Sequence, residues 1–224
     1  MTANVIEALQ TIKESTLFDD EVFFICGTAL SYYINHRISE DIDIVSAKAL
    51  NYKAIVPMIS SLGGVKIQDE NITALRMAGL SPDEYILKFI IDNVKLEFFQ
   101  ANRPIQKEIL QTATFSKYED SKIKILDLKS ICKLKLVALL QRNKSRDLFD
   151  FITIVDNNIL TLEEILDITL KTSNIKSAEE LYTFIESKKE PLNDETVYLS
   201  EKNSINLLFN EIKAECLLKL KNIL

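Results

Sequence analysis

Apolar residues near the start of the chain recur at helical spacing. Val5, Ile6, Leu9 and Ile12 predict an amphipathic helix from about Val5 to Lys13. The run EVFFIC, Glu21 to Cys26, is β-branched and aromatic and stops at Gly27 and Thr28 before the helix-like stretch ALSYYINH, so it reads as strand, tight turn, helix. Asp41 to Val45 alternates as DIDIV, which sends Ile42 and Ile44 to one face of a strand and Asp41, Asp43 and Val45 to the other. Residues 48 to 62 have a helical pattern that Gly63 and Gly64 close, and VKIQ follows as a strand. Tyr85 to Ile91 and Val94 to Gln100 are apolar runs separated only by Asp92 and Asn93, the signature of an antiparallel hairpin. After Pro104 come a helix near 105 to 112, a brief KIKIL segment and helical periodicity to the C-terminus. The pattern predicts a mixed α/β first half and a helical second half, with the boundary near 115 to 125.

Composition narrows this picture. A chain of 224 residues, 47% hydrophobic and 27% charged, has the make-up of a globular protein with a substantial core. Four glycines and four prolines leave little room for flexible linkers. The net charge of -6 excludes a generally basic surface for coating nucleic acid, though not a local basic patch. Cys26, Cys132 and Cys216 are odd in number and set among apolar residues, as buried reduced thiols would be, which fits a cytoplasmic protein. No run of about 18 apolar residues occurs, so no membrane span is expected.

The chemistry concentrates in FICGTALSYYINHRISEDIDIV, Phe24 to Val45. Gly27 allows close backbone approach, Thr28 offers a hydroxyl, and the amides opening the following helix favour an anion such as a triphosphate. Asp41 and Asp43, two residues apart on one strand, can both reach metal ions about 4 Å apart, as in two-metal nucleotidyl transfer. Their hard oxygens suit Mg²⁺, with Mn²⁺ as the alternative. Glu97 interrupts an apolar strand where an acid is costly and is the candidate third carboxylate, as metal ligand or as general base. Downstream, Lys135, Arg142 and Arg146 would form one basic stripe on a continuous helix, suited to neutralising triphosphate charge. Asp147 and Asp150 follow, with Asp150 four residues after Arg146 where it can orient that guanidinium.

Together GTAL, HRISEDIDI and KLVALLQRNKSRDLFDF resemble the AbiEii/AbiGii nucleotidyltransferase toxins of bacterial type IV toxin–antitoxin systems, over about residues 20 to 155. The resemblance implies an α+β fold: a polymerase-β-like nucleotidyltransferase domain, a mixed sheet with flanking helices, over 1–120, followed by a helical domain over 121–224 that closes the cleft. It implies transfer of a nucleoside monophosphate from an NTP to an acceptor hydroxyl, with transfer RNA as acceptor in some relatives, and a cognate antitoxin as partner. By position, Gly27 and Thr28 match the phosphate turn, Arg37 and Ser39 precede the metal acids Asp41 and Asp43, and Lys135 contacts the nucleotide, with Asp147 at the family's acidic position. The usual first glycine of the turn is Cys26 here.

Plainer readings exist for each feature. Asp-x-Asp is common at exposed sheet edges, Glu97 can lie on the solvated face of an edge hairpin, and the cationic stripe can be the wet side of a helix. His36, the sole histidine, supports no histidine-based zinc site or triad and reads as local scaffolding. Arg37 reads as a phosphate ligand or as an ion-pair partner of Asp41 or Asp43. Tyr32, Tyr33, Phe98 and Phe99 read as core aromatics. Two further functions compete with RNA modification: transfer to a small molecule or a protein, and a silent binding module held by an antitoxin.

Overall fold

A computed structural model of the chain describes residues 1–19, 21–68, 76, 77, 79, 81–194, 197, 199 and 207–223. They divide into two compact units, Met1–Tyr32 with Ser39–Asp127, and Tyr33–Ile38 with Leu128–Leu224.

The first unit opens with α1, Ala3–Ile12, whose first turn is capped by Thr2 Oγ1 accepting from the Val5 amide. Its buried face is Val5, Ala8, Leu9 and Ile12, whereas Ile6 lies exposed. Strand β1, Val22–Ile25, runs directly into α2, Cys26–Ile34, and β2 follows at Asp41–Ser46. Helix α3 occupies Tyr52–Ser61. It starts later than the periodicity suggested, because Leu50 instead donates its amide to the Glu84 carbonyl at 2.8 Å. Strands β3 (Val65–Ile67), β4 (Ile86–Ile91) and β5 (Val94–Gln100), helix α4 (Pro104–Thr112), and strands β6 (Phe115–Lys117) and β7 (Lys124–Leu126) complete the unit. Asp92 and Asn93 turn β4 into β5 with φ of 51° and 62°, the left-handed pair that matches the twist of a two-residue hairpin.

The seven strands form one mixed sheet in the order β3-β4-β5-β2-β1-β7-β6. Strand β2 is its centre, antiparallel to β1 and parallel to β5. One face of the sheet is apolar at its centre: Phe24, Ile42, Ile44, Leu96, Phe98 and Phe89 are all 0% exposed. Each such side chain contributes about 1.5–3 kcal/mol by leaving water. The core of the unit therefore sits under the face opposite the acids.

The second unit holds α5 (Leu128–Gln141), α6 (Ser145–Asp156), α7 (Leu162–Ser173), α8 (Ala178–Ser187) and α9 (Phe209–Ile223). Helix α5 packs on α6 and α7, and α9 on α6 and α8. Thr161 and Glu164 cap α7 reciprocally, and Asn174 ends it in the left-handed conformation. Helical periodicity to the C-terminus is interrupted after Ser187. Residues 195, 196, 198 and 200–206 of that stretch lie outside the described residues, and Val197 and Leu207 form an isolated bridge.

Ile44 is buried in the central strand. Ile44→Ala is expected to lower the unfolding free energy by about 2–5 kcal/mol in a denaturant titration. A loss below about 1 kcal/mol would contradict a close-packed site there.

Candidate active site

Alternation along β2 exposes Asp41 and Asp43 in part while Ile42 and Ile44 vanish into the core. Because β2 is the middle strand, the pair does not lie at a sheet edge. The parallel register sets Asp43 level with Glu97 and Asp41 level with Lys95, so all four side chains leave the same face. Glu97 is also level with Lys88 of β4 on its other side, so β5 is no edge strand either. Lys95 Nζ lies 2.7 Å from Glu97 Oε2. Burial pulls the Lys95 pKa down, but the hydrogen bond to Glu97 and the charges of Glu97, Asp41 and Asp43 outweigh it and raise the pKa. Lys95 is the member of this group that sequence reasoning missed. Its position two residues before Glu97 on an alternating strand was the available signal.

The turn preceding these acids is tighter than expected. Helix α2 begins at Cys26, which takes φ 67°, a left-handed conformation that costs a side-chain-bearing residue about 1 kcal/mol or more. Gly27 and Thr28 fall in the buried first turn. Thr28 Oγ1 lies 2.8 Å from Ser39 Oγ and is also hydrogen-bonded to the Asp41 carbonyl. The Thr28 hydroxyl expected at phosphate thus bonds within the protein, to Ser39 and to the Asp41 carbonyl at the entry to β2.

In the second unit the candidates gather on Asp150, which is completely buried. Its Oδ1 accepts from His36 Nε2 and from Arg37 Nε, each at 2.7 Å. Its Oδ2 accepts from Arg37 Nη2 at 3.1 Å and pairs with Lys135 Nζ at 2.7 Å. Burial alone would raise the Asp150 pKa, but the charges of Arg37 and Lys135 and the hydrogen bonds from His36 and Arg37 hold it well below the ordinary carboxylate range. Asp150 therefore orients Arg37 and Lys135, partners that its spacing from Arg146 gave no sign of. An ionised carboxylate only accepts, so His36 donates through Nε2. His36 Nδ1 is buried without a partner among the described residues.

The basic stripe does not form as one helix face. Helix α5 ends at Gln141 and α6 begins at Ser145. Lys188 Nζ holds the break by donating to the Arg142 carbonyl at 2.8 Å and to Asn143 Oδ1 at 3.0 Å. Arg142 folds back to grip Asp147 with Nε and Nη2 at 2.7 and 3.0 Å. Arg146 is half-buried on the first turn of α6.

A scan against family models matches residues 8–217 to the nucleotidyl transferase AbiEii toxin family of type IV toxin–antitoxin systems. The chain belongs to the AbiEii nucleotidyltransferase toxin family. No curated protein matches it. Among solved structures it is similar to a protein from H. pylori assigned as a nucleotidyltransferase, at 16% identity and TM-score 0.54, covering 100% of this chain and 96% of the other. It is similar too to MenT4, a nucleotidyltransferase toxin from Mycobacterium tuberculosis H37Rv, at 12% identity and TM-score 0.54, covering 98% and 82%. At these identities the likeness is one of fold. For an AbiEii nucleotidyltransferase, membership carries an NTP substrate, typically a divalent metal, and an antitoxin partner. No helix among the described residues is long and apolar enough to cross a membrane.

Two predictions follow from the Asp150 hub. Asp150→Asn is expected to lower the unfolding free energy by about 3–5 kcal/mol, because it removes the negative charge that the buried Arg37 and Lys135 share; a change under 1 kcal/mol would show that the cluster is not desolvated. Burial, the largest influence on His36, holds its pKa below the ordinary 6.5 despite Asp150. The unfolded chain therefore takes up the proton first, and the stability contributed by the neutral ring is present above pH 6.5 and shrinks as pH falls below it. Denaturant titrations at pH 7.5 and 5.5 should show a loss in wild type that is smaller in His36→Gln, and equal losses in both would refute the assignment.

Proposed function

We propose that this AbiEii-family enzyme moves a nucleoside monophosphate from an NTP to an acceptor hydroxyl, with Asp41 and Asp43 holding Mg²⁺ or Mn²⁺ and transfer RNA as the acceptor. The observation that carries the reading is the register of β2 and β5. It stations Asp43 and Glu97 side by side on the polar face of a central strand pair, where acids are costly unless a charged ligand meets them.

Among the described residues no three acids, histidines or cysteines are gathered as a ready cation cage. That fits magnesium, which binds through one or two carboxylates together with substrate phosphates and water. Asp41 and Asp43 would hold it, and bound there it would neutralise triphosphate charge and activate the reacting centre as a Lewis acid. The acceptor oxygen attacks the α-phosphorus, the bond to the β-phosphate oxygen breaks, and pyrophosphate leaves. Glu97, level with Asp43, takes the proton of the attacking hydroxyl.

Lys135 and Arg37 are proposed as cations for the triphosphate. Asp150 divides one negative charge between them, so each keeps positive charge for a phosphate. Arg142, Arg146 and Asp147 support that segment, with Arg142 and Asp147 joined as a pair. Gly27, Thr28 and Ser39 shape the turn that receives the phosphates. Transfer RNA as acceptor is supported by the toxin family, and a cytoplasmic site of action follows from such a substrate.

Purified protein with each α-labelled NTP, Mg²⁺ and total cellular RNA provides the test. Label is expected in transfer RNA with wild type, reduced at least about 10³-fold in Asp43→Ala and abolished by a chelator. Label on protein would move the acceptor to a polypeptide. Label on neither, with both proteins folded, would overturn the reading.

A further inference from the structure

We propose that Lys95 is a built-in counter-cation of the acidic face, competing with the divalent ion for Asp41, Asp43 and Glu97 and so making metal binding depend on the nucleotide that comes with it. The proposal rests on the reading of Asp41 and Asp43 as metal acids.

The pleat places Asp41, Asp43 and Glu97 on one face of two neighbouring strands, with Asp43 and Glu97 directly level. Like charges so placed repel, and the repulsion must be offset for β2 and β5 to pair here. Lys95 is level with Asp41 and two residues from Glu97 along its own strand, about 6.7 Å away along the chain. Its ammonium spans that gap to Glu97 at 2.7 Å. A lysine is suited to this: a compact charge with three donors on a four-carbon stem that can swing away without unfolding anything. The Lys95 side chain is 40% exposed whereas that of Glu97 is 17% exposed, so the lysine has open solvent to turn into and the acid is the more enclosed of the two.

A bare divalent ion meeting this face gains the two aspartates but must bear the repulsion of a neighbouring ammonium. An ion arriving with a triphosphate brings negative charge that offers Lys95 another partner. The same exchange releases Glu97 from its ion pair. Metal and nucleotide are thereby coupled, and the coupling is reciprocal. Lys95 acts through the acids and is a positioning residue in this scheme.

The test is Mn²⁺ titration of the full chain, following free Mn²⁺ by paramagnetic resonance, with folding checked by circular dichroism. Without nucleotide, Lys95→Met should bind Mn²⁺ about tenfold more tightly than wild type, and Lys95→Arg should stay near wild type. With a non-hydrolysable NTP analogue the gap should close to within about threefold. No gain in Lys95→Met, or an equal gain in Lys88→Met from the same face, would overturn the proposal, the latter by showing a general charge effect. The double variant Lys95→Met with Asp43→Asn separates the two readings. If it binds as tightly as Lys95→Met alone, the aspartates are not the metal site and the underlying functional reading fails.

Discussion

The parallel pairing of β2 with β5 imposes one constraint on everything above it: two carboxylates, Asp43 and Glu97, must stand level on neighbouring central strands. Nothing about strand pairing favours that arrangement, since level like charges weaken a sheet. What holds the strands together lies on the other face, where Ile42, Ile44, Leu96 and Phe98 are fully buried. The apolar face supplies stability, of the order of several kcal/mol over these four side chains, and the polar face spends a part of it. A sheet loaded in this way is pre-charged for a cation, because a positive ligand relieves a repulsion already built in. Lys95 is the chain's own partial remedy, and its raised pKa follows from the same field.

The second unit solves the converse problem. Arg37, Lys135 and Asp150 are all largely out of water, and stripping charges of solvent costs more than one ion pair returns unless further hydrogen bonds are made. Asp150 makes them by saturating both oxygens, two donors to each. Such a hub contributes little net stability but fixes three donor residues within one small volume. Arg37 and Lys135 come from segments roughly a hundred residues apart in the chain, and a buried shared acceptor is an effective way to hold distant cations in fixed orientation. His36 takes part in this hub as a neutral donor, so its role is closer to structural support than to catalysis.

What could be read from the sequence was what depends on near neighbours. The i, i+2 alternation of DIDIV specified the acid face, and Asp92-Asn93 specified the hairpin that forms. The family, too, was legible in GTAL, HRISEDIDI and the later KLVALLQRNKSRDLFDF. Hidden features depend on distant partners. Nothing local marks β5 as the neighbour of β2, so no window of sequence shows that Lys95 stands level with Asp41. The break between α5 and α6 contains no glycine or proline; its Arg142 carbonyl and Asn143 side-chain oxygen accept from Lys188, 46 and 45 residues onward, and a helix-long basic stripe was the natural inference without it. Arg37 finds Asp150 across 113 residues, a pairing invisible to any window of sequence.

The turn and the acids, which the sequence presents as two motifs, are one mechanical object. Cys26 adopts the left-handed conformation at the strand-to-helix corner, letting α2 start without an intervening loop. Because the helix starts there, Thr28 falls on its first turn, and its hydroxyl reaches both Ser39 and the Asp41 carbonyl. The backbone of the first acid is therefore set by the first turn of the helix, whose free amides favour phosphate. Loosening either end moves the other. A hydroxyl bonded inside the protein in this way fixes the separation between the helix end and the acids, the separation that the proposed metal-bound triphosphate would span.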